Sequence, residues 1–169
     1  MFLFVTVGST GFDALIQQTT SSDFLNSLSE VGIKKVVYQF GASEQVFANS
    51  LQFYQGKVLD LDGYKYKASI AEDMEQADII ISHAGAGTIL QALRMENKKL
   101  IVVVNESLMD NHQHQLAQAM HSSNYAICSD ISELTNTLKN INHIQLTPFP
   151  AAKPETFASI VDEQMGFAL

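Results

Sequence analysis

Little in this sequence could hold it together covalently or through charge. Its one cysteine, Cys128, excludes an intramolecular disulfide framework and suits a reducing compartment. Charged residues make up only 17% against 46% apolar, a globular composition with fewer ion-rich faces than usual, so part of the surface is expected to be apolar or covered. Bases are the scarcer sign: ten Lys and Arg against eighteen Asp and Glu give a net charge of −8. No basic cluster is longer than the pairs Lys34-Lys35 and Lys98-Lys99, which excludes a phosphate-tracking nucleic-acid surface. The longest apolar runs hold about five residues, far short of the roughly 18 that span a bilayer. The opening run Phe2–Val7 has no positive leader and is too short for a signal peptide. Membrane contact is therefore expected to be peripheral or through a partner.

Two phosphate-binding signatures are also missing. No GxxxxGK[ST] is present, which excludes the ordinary nucleoside-triphosphate loop. No GxGxxG follows the first apolar run, and the second ends in Phe40-Gly41-Ala42 without the acid that binds a dinucleotide ribose, which disfavours nicotinamide and flavin enzymes.

What is there is one domain's worth of chain, 169 residues, alternating short β-branched or aromatic runs with stretches of helical period. Strands are expected at Phe2–Val7, Lys35–Phe40, Lys57–Leu61, Asp78–Ser82, Leu100–Val104 and Tyr125–Cys128. Helices are expected at Asp13–Leu28, Glu44–Phe53, Ala68–Gln76, after Gly85-Ala86-Gly87-Thr88 to about Glu96, at His112–Ser122 and at Ile131–Leu138. Residues 141–154 carry all three prolines and read as an extended tail before a last amphipathic helix, Glu155–Met165. Apolar strands separated by helices imply an α/β, doubly wound (Rossmann-like), mostly parallel sheet of about six strands. The division expected is a nucleotide-binding domain over 1–150 and a terminal docking or partner-binding helix over 151–169. Ligands of such sheets bind beyond the carboxyl ends of the strands, so the strand-to-helix loops are where chemistry is sought.

The loop Gly8-Ser9-Thr10-Gly11 leaves the first strand and opens the first helix. Its glycines serve a tight turn, or bring backbone N–H groups to a phosphate. Ser82-His83-Ala84-Gly85-Ala86-Gly87-Thr88 makes the same kind of junction and is the most informative segment. Three small residues let the backbone approach a ligand, and Thr88 caps the helix or bonds a phosphate oxygen. His83 reads either as a ligand contact or as a loop histidine bonded to a neighbouring carbonyl. Gln91, one turn beyond Gly87, faces the same cleft or solvent. The stretch from Asn105 to Gln115 is dense in hydrogen-bonding groups, as a polyhydroxylated ligand would require. Its His112 and His114 are two apart, not the i, i+4 of a helical metal site. Asp60-Leu61-Asp62 mimics a metal-binding acidic triplet but reads better as solvated loop acids. Cys128, in a strand with no paired thiol, reads as buried and inert.

Taken in order, FVTVGST, ISHAGAGT, VVVNESLMDNHQ and the TPFP tail resemble the carboxyl-terminal, nucleotide-sugar-binding half of the family 28 GT-B glycosyltransferases. Within that family they resemble the soluble catalytic subunits of the two-subunit UDP-GlcNAc transferases of asparagine-linked glycosylation. The resemblance covers nearly the whole chain. It implies a single GT-B half-domain that transfers N-acetylglucosamine from UDP-GlcNAc, with inversion, to the GlcNAc of a dolichyl diphosphate. It implies no metal or other cofactor. The implied partner is a membrane-anchored subunit that binds the lipid-linked acceptor and recruits this chain from the cytoplasm to the cytosolic face of the endoplasmic reticulum.

By position, the resemblance puts Gly8, Ser9, Thr10 and Gly11 near the donor diphosphate, and Ser82, His83, Gly85, Ala86, Gly87 and Thr88 along the nucleotide site. Gln91 stands where related bacterial enzymes place a carboxylate on the ribose, and Asn111, His112 and Gln113 where relatives hold the sugar hydroxyls, with Asp110 and Gln115 beside them. His83 and His112 are the candidates for a catalytic base, with the partner as the other source. In the last helix Phe157, Ile160, Val161 and Met165 form an apolar stripe, broken by Gln164, for docking on the domain or on the partner. A nucleotide-binding regulatory module without catalysis is the rival reading.

Overall fold

A computed structural model of the chain describes residues 1–52, 59–105 and 111–151. Six strands alternate with seven helices: β1 (Phe2–Thr6), α1 (Asp13–Thr19), α2 (Ser22–Val31), β2 (Lys35–Gln39), α3 (Glu44–Gln52), β3 (Asp60–Tyr64), α4 (Ala71–Gln76), β4 (Ile79–His83), α5 (Ala86–Leu93), β5 (Lys99–Val103), α6 (Asn111–Ser122), β6 (Ile127–Cys128) and α7 (Leu134–Lys139). The strands form one sheet in the order β3-β2-β1-β4-β5-β6, and every pair is parallel. The expected doubly wound α/β architecture is what the chain adopts. The expected final helix lies outside the described residues.

Alternation along β1 explains why both faces need cover. Leu3 and Val5 point into a core with α1, α2, α3 and α7, through Leu15, Ile16, Phe24, Leu28, Phe47, Leu134 and Leu138. Phe2 and Phe4 point the other way, against Met74 of α4, Ile89 and Ala92 of α5 and Ala117 of α6. A strand buried on both sides shows no polar alternation, and that is the pattern of a covered parallel sheet.

Several boundaries depart from expectation for local reasons. The helix expected over Asp13–Leu28 is two helices, broken at Thr20-Ser21. Ser21 takes an extended backbone and its hydroxyl accepts from Phe24 N at 3.3 Å, which caps α2. The Thr19 carbonyl that the break exposes accepts from the buried Tyr38 hydroxyl at 2.8 Å. Of the third strand expected at Lys57–Leu61, Lys57 and Val58 lie outside the described residues; β3 extends past Leu61 to Tyr64, because pairing with β2 sets Asp60 beside Lys35 and Tyr64 beside Gln39. Asp60 and Asp62 are therefore exposed acids of an edge strand rather than of a loop. β4 runs one residue further than expected and takes in His83. The tail contains a short 3-10 turn, Ile141–His143, before it becomes extended.

That tail crosses the amino ends of β5 and β6. The Lys99 ammonium donates to the Ile141 carbonyl, Thr147 N donates to Asn124 O at 2.8 Å, and Phe149 meets Tyr125 edge to face at 5.1 Å. The strand-exit loops and this tail thus lie at opposite ends of the sheet. Among the described residues no helix is long and apolar enough to cross a membrane.

Leu28, fully buried between α2 and the sheet, tests this packing. Leu28→Ala should cost about 2–5 kcal/mol of unfolding free energy in urea titration, whereas Ser21→Ala, which removes only the cap, should cost about 1 kcal/mol.

Candidate functional site

The sheet winds outward in both directions from the β1–β4 pair, so their two exit loops diverge to opposite faces and leave a crevice between them. The loop after β1 begins at Gly8, with φ +69°, a conformation that side chains rarely tolerate. A Cβ there would lie 2.9 Å from Cε1 of His83. A Cβ at Gly85 would lie 2.6 Å from Nε2 of the same ring. The Cε1–Nε2 edge of the imidazole is thus seated against two glycine backbones, one from each loop. Its Nδ1 faces the Thr6 carbonyl at 3.4 Å. Since a carbonyl only accepts, the tautomer that makes this bond carries its proton on Nδ1. Burial holds the His83 pKa below the ordinary 6.5, opposed by the bond to Thr6, so the ring is neutral at pH 7.

A second contact sets the position of the first loop. Gly41, just past β2, has φ +53°, and a Cβ on it would overlap the Gly8 carbonyl oxygen and come within 3.0 Å of the Ser9 oxygen. Phe12 N donates to the Ser43 hydroxyl at 2.9 Å, and Gly41 N donates to Lys65 O at 3.2 Å. The loops after β1, β2 and β3 are therefore joined. A clasp lies beyond them: the Tyr64 hydroxyl donates to Asp73 at 2.5 Å, and Lys67 lies 2.8 Å from the same carboxylate and 4.1 Å from the Tyr64 ring centroid. Burial, then the bond to Asp73 and its charge, hold the Tyr64 phenol protonated well above the usual range.

Helix α5 begins at Ala86 with Gly85 as its N-cap, and no side chain caps it. Its first-turn N–H groups have no intrahelical acceptor, and Ala86 and Gly87 are exposed, which leaves those donors open beside His83. Such a terminus suits an anion. Thr88 is half-buried in the first turn and is not the cap. Nothing lies within 4 Å of a Cβ built at Gly87.

The remaining predicted residues are distributed as follows. Gly11 is half-buried, and Ser9 and Thr10 are exposed on the first loop. Ser82 is fully buried and its hydroxyl donates to the His83 carbonyl at 2.6 Å, so it supports the second loop from beneath. Gln91 is half-buried on α5. Asn111, His112 and Gln113 fall in the first turn of α6; their side chains, with Asp110, lie outside the described residues, while Gln115 is exposed. Cys128 is half-buried, and burial together with the Asp130 charge raises its pKa, which keeps the thiol protonated. Among the described residues no group of three or more His, Cys, Asp or Glu could hold a metal.

Sequence reasoning passed over Gly41 and Ser43. The signal was available: a glycine directly after a strand that pairs with β1 stands where it must meet the β1 loop. It also passed over a cavity of about 980 Å³ on the same end, between Thr10–Ala14 and Asp130–Ser132, with Val104 and Asn105 at its inner side. That cavity joins residues more than a hundred positions apart, which no local pattern reports.

Comparison with known proteins bears on the family and the fold. The UDP-N-acetylglucosamine transferase subunit ALG13 of Mus musculus is 41% identical over 132 residues, 76% of this chain, although the chain spans only about a tenth (11%) of that relative's length. The protein of the same name from Yarrowia lipolytica is 31% identical over 99% of this chain and 86% of its own. A solution NMR structure of ALG13 superposes with a TM-score of 0.72 at 29% identity, over 95% of this chain and 94% of that one. The model of the glycosyltransferase family 28 C-terminal domain matches residues 2–164, and with the doubly wound sheet and its paired glycine loops this establishes that the chain belongs to that glycosyltransferase family.

Proposed function

We propose that the chain is the donor-binding catalytic subunit of a UDP-GlcNAc transferase, which passes N-acetylglucosamine with inversion to the GlcNAc of a dolichyl diphosphate, the second step of N-glycan precursor assembly. One observation carries the reading. Two glycine loops from adjacent strands meet around a single imidazole beside an uncapped helix N-terminus, in a chain of family 28.

In this reaction the bond between the anomeric carbon and the β-phosphate oxygen breaks, and its electron pair leaves with UDP. The acceptor hydroxyl oxygen bonds to the opposite face of that carbon, and its proton passes to a base. Negative charge grows on the departing β-phosphate. Fixed N–H dipoles from the Gly8–Gly11 loop and the first turn of α5 suit that charge, since they need no reorientation as it develops. Gln91 serves the ribose through its amide oxygen, and Asn111, His112 and Gln113 serve the sugar hydroxyls. His83 and His112 bind or orient, and the base comes from the partner. No metal is needed on this route.

The family is named for a C-terminal domain, and the relatives are named as subunits. Both support a partner that supplies the acceptor site, the membrane anchor and recruitment from the cytoplasm to the endoplasmic reticulum.

The chain should transfer GlcNAc when combined with its membrane-anchored partner, UDP-GlcNAc and a GlcNAc-diphosphate lipid, as read by mass spectrometry of the lipid. Binding of UDP-GlcNAc without transfer by a competent partner would instead make it a nucleotide-binding regulatory module. Calorimetry should show preference for UDP over NAD, and the reverse order would overturn the reading. Two glycines of the same end should behave oppositely. Gly87→Val has room for its side chain, so it should keep the wild-type melting temperature and weaken UDP-GlcNAc binding by at least about tenfold. Gly41→Val should lose about 3 kcal/mol or more of stability in denaturant titration, through overlap with Gly8 and a strained backbone.

A further inference from the structure

Among the described residues, the crevice offers a diphosphate almost no positive charge. The elements packed on His83 are β1 and its loop through Phe12, the exit of β2 at Phe40–Ser43, β5, and the segment from Ala84 through α5. They contain one other charged side chain, Lys99, which stands at the opposite end of β5 with its ammonium on the Ile141 carbonyl. The cations of the neighbouring β3–α4 loop are already paired, Lys65 with Glu44 at 3.1 Å and Lys67 with Asp73 at 2.8 Å. The carboxylates of Asp13 and Asp130 line the cavity beside the β1 loop and supply no cation, Glu44 opens α3, and Cys128 stands two strands from β4. His83 is therefore the one described group in the crevice that can become positive.

Its seat defines how. Nδ1–H is committed to the Thr6 carbonyl, so in the neutral ring Nε2 carries a bare lone pair. Nε2 lies against both glycine loops, 2.6 Å from a Cβ built at Gly85 and 3.1 Å from one built at Gly8, and its lone pair would repel a phosphate oxygen bound by those loops. Turning the ring over to present an N–H instead would give up the Thr6 bond. Resting on the donor-site reading above, the geometry points to proton-coupled donor binding: the diphosphate draws one proton from solvent onto Nε2 of His83. The imidazole then bonds to Thr6 with one nitrogen and to the diphosphate with the other. The free enzyme keeps the ring neutral by burial, and the bound anion reverses that preference. UDP leaves with one more negative charge than the bound donor carried there, so the same imidazolium also favours departure of the leaving group.

UDP-GlcNAc is the suitable probe, because its diphosphate is esterified at both ends and does not titrate near neutrality. Calorimetry on the full chain with its partner subunit, in buffers of different ionisation enthalpy, should report uptake of about one proton per donor bound, and affinity should fall about tenfold per pH unit above neutrality. His83→Gln should bind more weakly, with no proton uptake and a flat pH profile. Nitrogen NMR of the wild-type ring needs no variant. It should show Nδ1 protonated and Nε2 bare in the free chain, and both protonated at saturating UDP-GlcNAc. Donor binding with no proton uptake, or a ring that stays neutral in the complex, overturns this inference and leaves the donor site standing. Failure of UDP-GlcNAc to bind the chain with its partner overturns the donor site, and this inference with it.

Discussion

The carboxyl end of this sheet depends on how closely Gly41 comes to the backbone of the loop after β1. No other residue type leaves the Gly8 and Ser9 carbonyls where they are, because any Cβ would occupy the same space. That approach brings Ser43 within reach of Phe12 N and aligns Gly41 N with the Lys65 carbonyl. Three consecutive strand exits are held as one unit by contacts between backbones rather than by side-chain ion pairs. The exposed Lys65–Glu44 pair adds little to this, since surface pairs are worth about 1 kcal/mol or less. Held from the β2 side, the first loop can in turn present Gly8 to the His83 ring.

This construction suits the donor-binding role proposed for the chain, because backbone N–H groups on locked loops need no reorganisation when charge develops. Among the described residues the crevice carries no free lysine or arginine, which would need a partner whenever the site is empty, whereas the neutral imidazole of His83 is met by the Thr6 carbonyl.

How much of this was legible in the sequence depended on the range of each signal. Six strands and their order of burial were readable because runs such as Phe2–Thr6 and Ile79–Ile81 are apolar on both sides and short, and the paired glycine loops stand directly after two of them. The extent of β3 was missed because an edge strand with exposed Asp60 and Asp62 lacks that signature, and its register comes from β2. The break between α1 and α2 lay in Ser21, whose capping role competes with a continuous apolar stripe that spans both helices. Of the candidate site, Gly8, His83 and Gly85 were named from the sequence, but their three-way contact was not. The seat of His83 depends on Thr6, 77 residues away, and the position of its loop depends on Gly41.

Asp60 and Asp62 have one more consequence. A parallel sheet ends in two strands whose outer N–H and C=O groups could accept a strand from another molecule. Here one of those strands, β3, alternates exposed carboxylates along its length, and the other, β6, is only two residues long. Charge on one edge and brevity on the other are the usual safeguards against edge-to-edge growth. The same safeguards disfavour strand addition by any other protein at these two edges, which leaves helices and loops as the surfaces open to association.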